Sequence, residues 1–144
     1  GEVFVALKKP GRDKSLFGRV HERSLLGVSG YHYGFANFEA DQATLQRQFR
    51  ISFANDGAAL MRMLTKERGE VAVVTKSYLQ SYLKKHPELQ DKLLVSDQFD
   101  QHYNHTILVR KGTKPSAQEV DKLLDAMEKS GVLRKLWSRY GIGG

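Results

Sequence analysis

The stretches LLGVSG (25–30), ISFANDG (51–57) and VAVVTKS (71–77) decide the fold of this chain. Each is a short apolar run that ends in a small or polar turn and leads into a segment with helical spacing. Strands and helices that alternate in this way predict an α/β fold with a mostly parallel sheet flanked by helices. Ligands of such sheets bind at the carboxyl ends of the strands, where helix starts offer free N–H groups. The three turns are therefore where a site is expected.

Further strands are expected on either side of these three units. Residues 3–7, 93–95 and 106–109 are short apolar runs of strand length. The last two are separated by a polar segment, residues 96–104. Residues 8–24 are rich in basic side chains and show no clear periodicity, so a connection without regular structure is expected there.

Capping residues mark the starts of the helices. Asp41 and Asp56 stand where N-caps are needed, and the third helix is expected to open at Ser77. Apolar anchors of the first helical stretch are Phe35, Phe38, Leu45 and Phe49. Ser116 and Glu119 have the spacing of a capping box, which predicts a closing pair of amphipathic helices interrupted at residues 130–131.

Length and composition exclude several classes of protein. A chain of 144 residues is long enough for one domain with a real core. It contains no cysteine, which removes disulfides, thiolate nucleophiles and cysteine-bound zinc. No apolar stretch approaches the roughly 20 residues that span a bilayer. No signal peptide is visible, and the abrupt start at Gly1 suggests a processed or trimmed fragment.

The basic charge favours anionic partners. The formal net charge is +7, and much of the excess lies in one stretch that contains Lys8, Lys9, Arg12, Lys14, Arg19 and Arg23. A nucleic-acid-binding surface would interleave aromatic side chains with these charges, and only Phe17 is available. Nucleic-acid binding is therefore an alternative and not the leading interpretation, and no nucleic-acid partner is expected.

Nothing in the sequence supports catalysis. The pair His102 and His105 has the spacing of a metal site on a helix, but the segment is extended in character and no third ligand stands nearby. The turn at residues 29–34 lacks the serine of a nucleophile elbow, and no phosphate-binding loop is present. We expect no enzyme activity, no catalytic residue, no metal site and no cofactor.

The turn SGYHYG (29–34) is the best candidate for a binding site. Gly30 allows close approach to the backbone, and a hydroxyl, two aromatic rings and an imidazole follow within a few residues. This mixture suits a polar organic ligand with an anionic group. The alternative is that Tyr31 and Tyr33 simply pack against neighbouring helices.

The order of several motifs resembles a known family. The motifs are SGYHYG (29–34), ISFANDG (51–57), GEVAVVT (69–75), YLKKHP (82–87), LVRKG (108–112) and GVLRKLWSRYG (131–141). Together they are similar to the C-terminal half of the bacterial extracellular solute-binding proteins of family 3. These are the amino-acid-type periplasmic receptors of ABC transporters.

The resemblance implies a lobe of the periplasmic-binding-protein type II fold within a single domain of residues 1–144. Residues 1–8 would be the first crossover strand and residues 20–103 the second lobe. Residues 104–144 would be the return strand and the C-terminal helices of the first lobe, whose body is missing. Those helices would then lack their partner, so a homodimer or an exchange of helices between copies is expected. The apolar stripe that motivates this is Leu123, Leu124, Met127, Leu133, Leu136 and Trp137.

The resemblance also assigns binding residues. It places Ser29, Gly30, Tyr31 and His32 at a helix start that faces the ligand, and Thr75 and Lys76 beside it by position. Amino-acid binders of the family carry an aspartate just after the third strand, which pairs with the ligand's ammonium group. Lys76 at or beside this place would repel an ammonium group, so an acidic or non-amino solute fits better than an ordinary α-amino acid.

The resulting hypothesis is a non-enzymatic periplasmic solute-binding module of an ABC transporter. It would bind a small polar solute in a cleft between two lobes and would contact a transporter permease. One alternative keeps the fold and makes the module the extracytoplasmic sensor of a membrane signalling protein, with a sensor partner. The other alternative, a basic nucleic-acid-binding domain, predicts oligonucleotide binding with a steep dependence on salt.

Overall fold

Residues 1–102 form one unit of the chain and the residues from Tyr103 onward form a second; the computed structural model describes residues 1–140. The strands of the first unit are β1 (Glu2–Leu7), β2 (Leu25–Val28), β3 (Ile51–Ala54), β4 (Val71–Thr75) and β5 (Leu93–Gln101). Its α-helices are α1 (Gln42–Gln48), α2 (Gly57–Thr65) and α3 (Lys76–Lys85). Short 3-10 helices lie at Lys14–Glu22, Gly34–Ala36 and Pro87–Lys92.

The five strands form one mixed sheet in the order β3-β2-β4-β1-β5. β2 pairs in parallel with β3 and with β4, whereas β1 runs antiparallel to both β4 and β5. Four strands therefore point one way and β1 points the other. This confirms the predicted α/β fold, and the carboxyl ends of β2, β3 and β4 meet at the same edge of the sheet.

Both faces of the sheet are buried. β1 shows the alternation, because Val3 and Val5 belong to one apolar cluster and Phe4 and Ala6 belong to the other. The first cluster packs under α2 and α3 and includes Leu26, Leu60, Met61, Leu64, Val74 and Leu79. The second packs under α1 and the first two 3-10 helices and includes Leu16, Val20, Tyr33, Ala36 and Leu45. The apolar runs that define the three repeated units thus fill a core of two layers.

The predicted N-caps of the first two helices are confirmed. The carboxylate of Asp41 accepts from the N–H of Thr44 (2.8 Å), and that of Asp56 accepts from the N–H of Ala59 (2.7 Å). Both bonds satisfy N–H groups that have no partner within their helix. α3 begins one residue earlier than expected, with Thr75 as its N-cap.

The strand predicted at residues 93–95 continues to Gln101, so the polar segment at residues 96–104 is a strand as far as residue 101. The strand continues because it pairs with β1 along the length of β1, from Leu7 opposite Leu93 to Glu2 opposite Gln101. Ser96 takes part as well, because its hydroxyl accepts from the N–H of Phe4 (3.0 Å). A strand that is stabilised by pairing can be polar over half of its length.

The strand predicted at residues 106–109 is also wrong, since these residues have no regular secondary structure. Ile107 is 60% exposed and Leu108 is 93% exposed. An apolar run becomes a strand only when a neighbouring strand satisfies its backbone, and no strand within residues 1–140 pairs with it.

The basic segment at residues 8–24 is more ordered than expected. Residues Lys14–Glu22 form 3-10 turns that begin where Asp13 accepts from the N–H of Ser15 (2.8 Å). Leu16 and Val20, four residues apart, are buried against the sheet. The surrounding charges and the glycines at positions 11 and 18 hide these apolar residues in the sequence, as they do the partly buried Phe17 beside them.

The second unit contains α4 (Ala117–Lys129) and α5 (Val132–Arg139). The predicted capping box is confirmed, since Ser116 and Glu119 each bond the other's backbone N–H. No residue of either helix is buried. Gly141, the last residue of the closing motif, lies outside the described residues. Within residues 1–140 no helix is both long enough and apolar enough to cross a bilayer.

Candidate functional site

Three strands bring their carboxyl ends to one edge of the sheet. Val28 at the end of β2 lies opposite Ala54 at the end of β3, and the N–H of Ser29 donates to the carbonyl of Ala54 (2.9 Å). β4 runs beside β2 in the same direction and ends at Thr75. Loops and helix starts gather at such an edge, which is why open parallel sheets bind ligands there.

A cavity of about 120 Å³ opens at this edge. Tyr31, Thr75 and Tyr78 give it polar groups, and its remaining lining residues are Val28, Gly57, Leu60, Val73 and Val74. Gly57 is required, because a Cβ atom here would lie 2.7 Å from Cε1 of Tyr78. Burial raises the pKa of the Tyr78 hydroxyl, so this group keeps its proton at neutral pH. The lining can therefore donate hydrogen bonds to a small polar molecule.

Tyr33 holds the turn that carries Tyr31. It is fully buried, and its hydroxyl accepts from the N–H of Val28 (2.7 Å) and donates to the carbonyl of Val28 (2.8 Å). The pairing of β2 with β4 stops at Leu26, so this hydroxyl takes the place of a strand beyond that point. A Cβ atom on Gly27 would clash with the same hydroxyl, which is why this position needs a glycine.

The turn does not open a helix, so the expectation that residues 29–32 lie at a helix start is wrong. After Gly30 (φ 78°) the chain reaches the 3-10 helix at Gly34–Ala36, and α1 begins only at Gln42. The burial of Tyr33 turns the chain toward the core before a helix can form. Phe38, predicted as an apolar anchor, is 63% exposed and adopts a left-handed conformation (φ 62°).

Ser29 and His32 flank Tyr31 but do not line the cavity. The hydroxyl of Ser29 accepts from the side-chain amide of Gln42 at the start of α1. The carbonyl of His32 accepts from Nε2 of Gln101 (2.7 Å), and its exposed ring lies 6.1 Å from that of Phe38. Both residues therefore tie the turn to its neighbours, and Tyr31 is the member of the predicted turn that reaches the cavity.

Asp100 in β5 fixes the segment after the turn, and the sequence did not point to it. Its Oδ2 accepts from the N–H of Gly34 and its Oδ1 accepts from the N–H of Phe35, both at 2.7 Å. Burial raises the pKa of this carboxyl, although the two N–H groups and the charge of His32 act in the opposite direction. The signal that could have revealed Asp100 is its place in a strand, which the polar sequence concealed.

Thr75 and Lys76 lie at the start of α3, where β4 ends. The hydroxyl of Thr75 donates to Oε1 of the buried Glu2 (3.2 Å), and the backbone N–H of Lys76 donates to the carbonyl of Gly1 (3.0 Å). The ammonium group of Lys76 lies 5.1 Å from the centre of the Phe99 ring. Thr75 therefore lines the cavity with Tyr31, whereas Lys76 lies over β5.

The helix starts at this edge differ in their charge. α2 already has the carboxylate of Asp56 at its first turn, whereas α3 has no side-chain cap and carries Lys76 as its first residue. The helix dipole and the lysine favour an anion at the start of α3. Two contacts at the same start act against this, since the N–H of Lys76 already donates to Gly1 and the hydroxyl of Thr75 donates to the carboxylate of Glu2.

Residues 1–140 contain no cluster of three or more histidine, cysteine, aspartate or glutamate side chains that could hold a metal ion. His102 packs on Phe99 with ring centres 4.1 Å apart, and His105 packs on Tyr103 at 5.4 Å. The two histidines belong to different units of the chain.

Acidic neighbours offset much of the charge in the basic segment. Lys9 pairs with Glu67 and Lys14 with Asp97, and both Arg12 and Arg23 lie within 4 Å of Glu70. Four of the six basic residues that favoured an anionic partner therefore have a carboxylate beside them.

Comparison with known proteins gives matches among solved structures only, since neither a family model nor a curated protein matches the chain. The GluR0 ligand-binding core in complex with L-glutamate superposes with a TM-score of 0.70 at 16% identity, over 97% of this chain and 59% of that one. An ancestral arginine-binding protein bound to glutamine gives 0.65 at 18% identity, with the same two coverages. The substrate-binding protein of an amino acid ABC transporter gives 0.63 at 16% identity, over 96% and 58%.

These likenesses establish the fold. Nearly all of this chain is matched, yet it spans less than two thirds of the length of the matched proteins. The chain resembles the solute-binding proteins of amino acid transport, and it has the fold of a lobe of the periplasmic-binding-protein type II class.

Proposed function

We propose that the chain is the second lobe of a non-enzymatic solute-binding module, which holds a small, polar, negatively charged solute at the carboxyl ends of β2, β3 and β4. One observation carries the proposal. Tyr31 and Thr75, predicted from distant parts of the sequence, line the same cavity beside the start of α3, which has no side-chain cap. A cavity with the hydroxyl groups of Tyr31 and Tyr78 beside a helix start suits a carboxylate.

The charge of the solute follows from the two helix starts. The carboxylate of Asp56 already neutralises α2, so a second anion there would be repelled. At α3 no side chain caps the helix, and the helix dipole and the ammonium group of Lys76 favour an anion over an ammonium group, although the carboxylate of Glu2 lies beside Thr75. We therefore assign an acidic solute to this chain and not a cationic one.

The six predicted residues receive distinct roles in this proposal. Tyr31 donates a hydrogen bond to the solute and Thr75 lines the cavity while its hydroxyl donates to Glu2. Lys76 attracts the solute electrostatically from the first turn of α3. Gly30 allows the turn to bend, and Ser29 and His32 hold the turn in place. The segment from residue 104 onward belongs to the first lobe, and the division of the chain after His102 supports this assignment.

Transport is the role that we assign to the complete protein. The chain would act in the periplasm, bind its solute by closure of two lobes and deliver it to the permease of an ABC transporter. The likeness to the substrate-binding protein of such a transporter supports this role. A sensor with the same fold would use the same cavity.

Calorimetric titration with glutarate, L-glutamate and L-arginine tests the choice of solute. We expect glutarate to bind, because it has two carboxylates and no ammonium group, and L-arginine not to bind. Tyr31→Ala should weaken glutarate binding about tenfold, as expected for a contact of about 1.4 kcal/mol. The matched variant Tyr140→Ala removes an exposed tyrosine of the second unit and should leave binding unchanged. Binding of L-arginine alone would contradict the proposal.

We also propose that the isolated chain forms a homodimer through α4 and α5 or exchanges these helices between copies. Leu123, Leu136 and Trp137 are 60%, 37% and 43% exposed, and apolar side chains grouped in this way are rarely left in water. Sedimentation velocity at several concentrations should show a dimer that Trp137→Glu dissociates and Lys135→Glu leaves intact. A monomer at every concentration would contradict this part of the proposal.

A further inference from the structure

β3 lies at an edge of the sheet, and within residues 1–140 it pairs only with β2. The carbonyls of Arg50 and Ala54 accept from the N–H groups of Leu25 (2.7 Å) and Ser29 (2.9 Å). Because backbone groups alternate between the two sides of a strand, the N–H and the carbonyl of Phe53 point away from β2. An edge of this kind is a template for one more strand.

Three cationic side chains stand beside this edge. A cavity of about 300 Å³ is lined by Phe53, Ala54, Asn55, Ala59, Arg62, Met63, Lys66 and Arg68. Arg62 belongs to α2, and Lys66 and Arg68 follow it in the turn that leads to β4. None of the ion pairs found among the described residues involves any of the three.

The nearby acidic residues have other partners. Glu67 stands between Lys66 and Arg68 in sequence, but it pairs with Lys9 and lines a different cavity. This pairing lowers the pKa of Glu67, so its charge is held by that lysine at neutral pH. Asp56 is held as the cap of α2. The cavity beside β3 is therefore lined by three positive side chains and no negative one.

We propose that this edge binds an extended acidic peptide segment of another protein, which adds a strand to β3. The backbone of the segment would pair with the outward N–H and carbonyl of Phe53, and its carboxylates would contact Arg62, Lys66 and Arg68. A peptide fits better than a nucleic acid, since the outward backbone groups of Phe53 match a strand and its ring is partly buried against the core. The site is separate from the cavity at Tyr31 and stands independently of the bound solute.

Fluorescence anisotropy with a labelled ten-residue peptide of alternating glutamate and valine tests this proposal on the full chain. We expect saturable binding that Arg62→Glu, Lys66→Glu and Arg68→Glu together weaken by at least about tenfold, since three pairs are lost and reversed. The matched variant carries Lys84→Glu, Lys85→Glu and Lys92→Glu, which change the net charge equally at exposed positions away from this cavity. It should bind like the unaltered chain.

A second experiment, on the unaltered chain, distinguishes strand addition from simple attraction between opposite charges. N-methylation of every second peptide residue blocks backbone pairing but keeps the charge, so it should abolish binding. The unmodified peptide should also slow hydrogen exchange at the amide of Phe53. The proposal is overturned if the N-methylated peptide or a DNA oligonucleotide of equal charge binds as tightly, or if no saturable binding occurs. The absence of saturable binding would leave the cations as protection of the edge against aggregation.

Discussion

Replacing Tyr33 by phenylalanine removes one oxygen atom from beneath the turn that carries Tyr31. The ring remains, so its packing in the core is kept. The N–H and the carbonyl of Val28 lose the partner that now stands 2.7 and 2.8 Å away. The carbonyl of Val28 still accepts from the N–H of Tyr31 (3.3 Å), so the N–H of Val28 is the buried group left without a partner. Such a group costs about 1–3 kcal/mol in the free energy of unfolding.

Denaturant unfolding followed by circular dichroism measures this loss. For a unit of roughly 100 residues, a loss of 2 kcal/mol corresponds to a fall in Tm of about 8 °C or more. Tyr82→Phe is the matched control, since Tyr82 is half-buried and none of the hydrogen bonds found among the described residues uses its hydroxyl. Equal stability of Tyr33→Phe and Tyr82→Phe would refute the role assigned to the Tyr33 hydroxyl.

Three further predictions concern the turn, its pH dependence and the second unit. Gly34→Ala places a Cβ atom against the carbonyl of Asp100 and should lower the free energy of unfolding by about 1–3 kcal/mol in the same denaturation assay. An unchanged midpoint would contradict the close contact of Asp100 with the segment after the turn. Burial raises the pKa of Tyr33, so its contribution to stability is complete below about pH 10 and is lost as the pH rises further; Tyr33→Phe should lose less stability than the unaltered chain in unfolding curves from pH 9 to 11, and parallel losses would argue against it. Ser116→Ala removes the capping box and should lower the stability of α4 by about 1 kcal/mol, seen as faster hydrogen exchange in α4 than in the unaltered chain; unchanged exchange in α4 would speak against the cap.

Local chemistry made the central part of the fold predictable. The apolar runs of β2, β3 and β4 are bounded by turns, and Asp41 and Asp56 mark helix starts whatever surrounds them. These features depend on neighbours in sequence. The order of the sequence motifs then indicated a lobe of the periplasmic-binding-protein type II fold, and the matched structures have the same fold.

What could not be predicted depends on partners that are distant in sequence. β5 is polar beyond Val95 and becomes a strand only because β1 lies beside it. Residues 106–109 look like a strand but have no such neighbour in the described chain. Tyr31 and Tyr33 stand in similar sequence surroundings but lie in different places. Gly27 leaves room for the hydroxyl of Tyr33 in the core, whereas Tyr31 lines the cavity. The role of Asp100, which accepts from the N–H groups of Gly34 and Phe35, could not be predicted for the same reason, because it depends on the formation of β5.

Titration of the ¹⁵N-labelled chain with glutarate, followed by amide shifts in NMR spectra, tests the solute-binding claim most directly. The account predicts that the shifted amides cluster at Tyr31 and in the first turn of α3, from Lys76 to Tyr78. Amides of the β3 edge, such as that of Phe53, should not move. A titration in which no amide moves, or in which the shifts cluster away from the carboxyl ends of β2 and β4, would contradict the account.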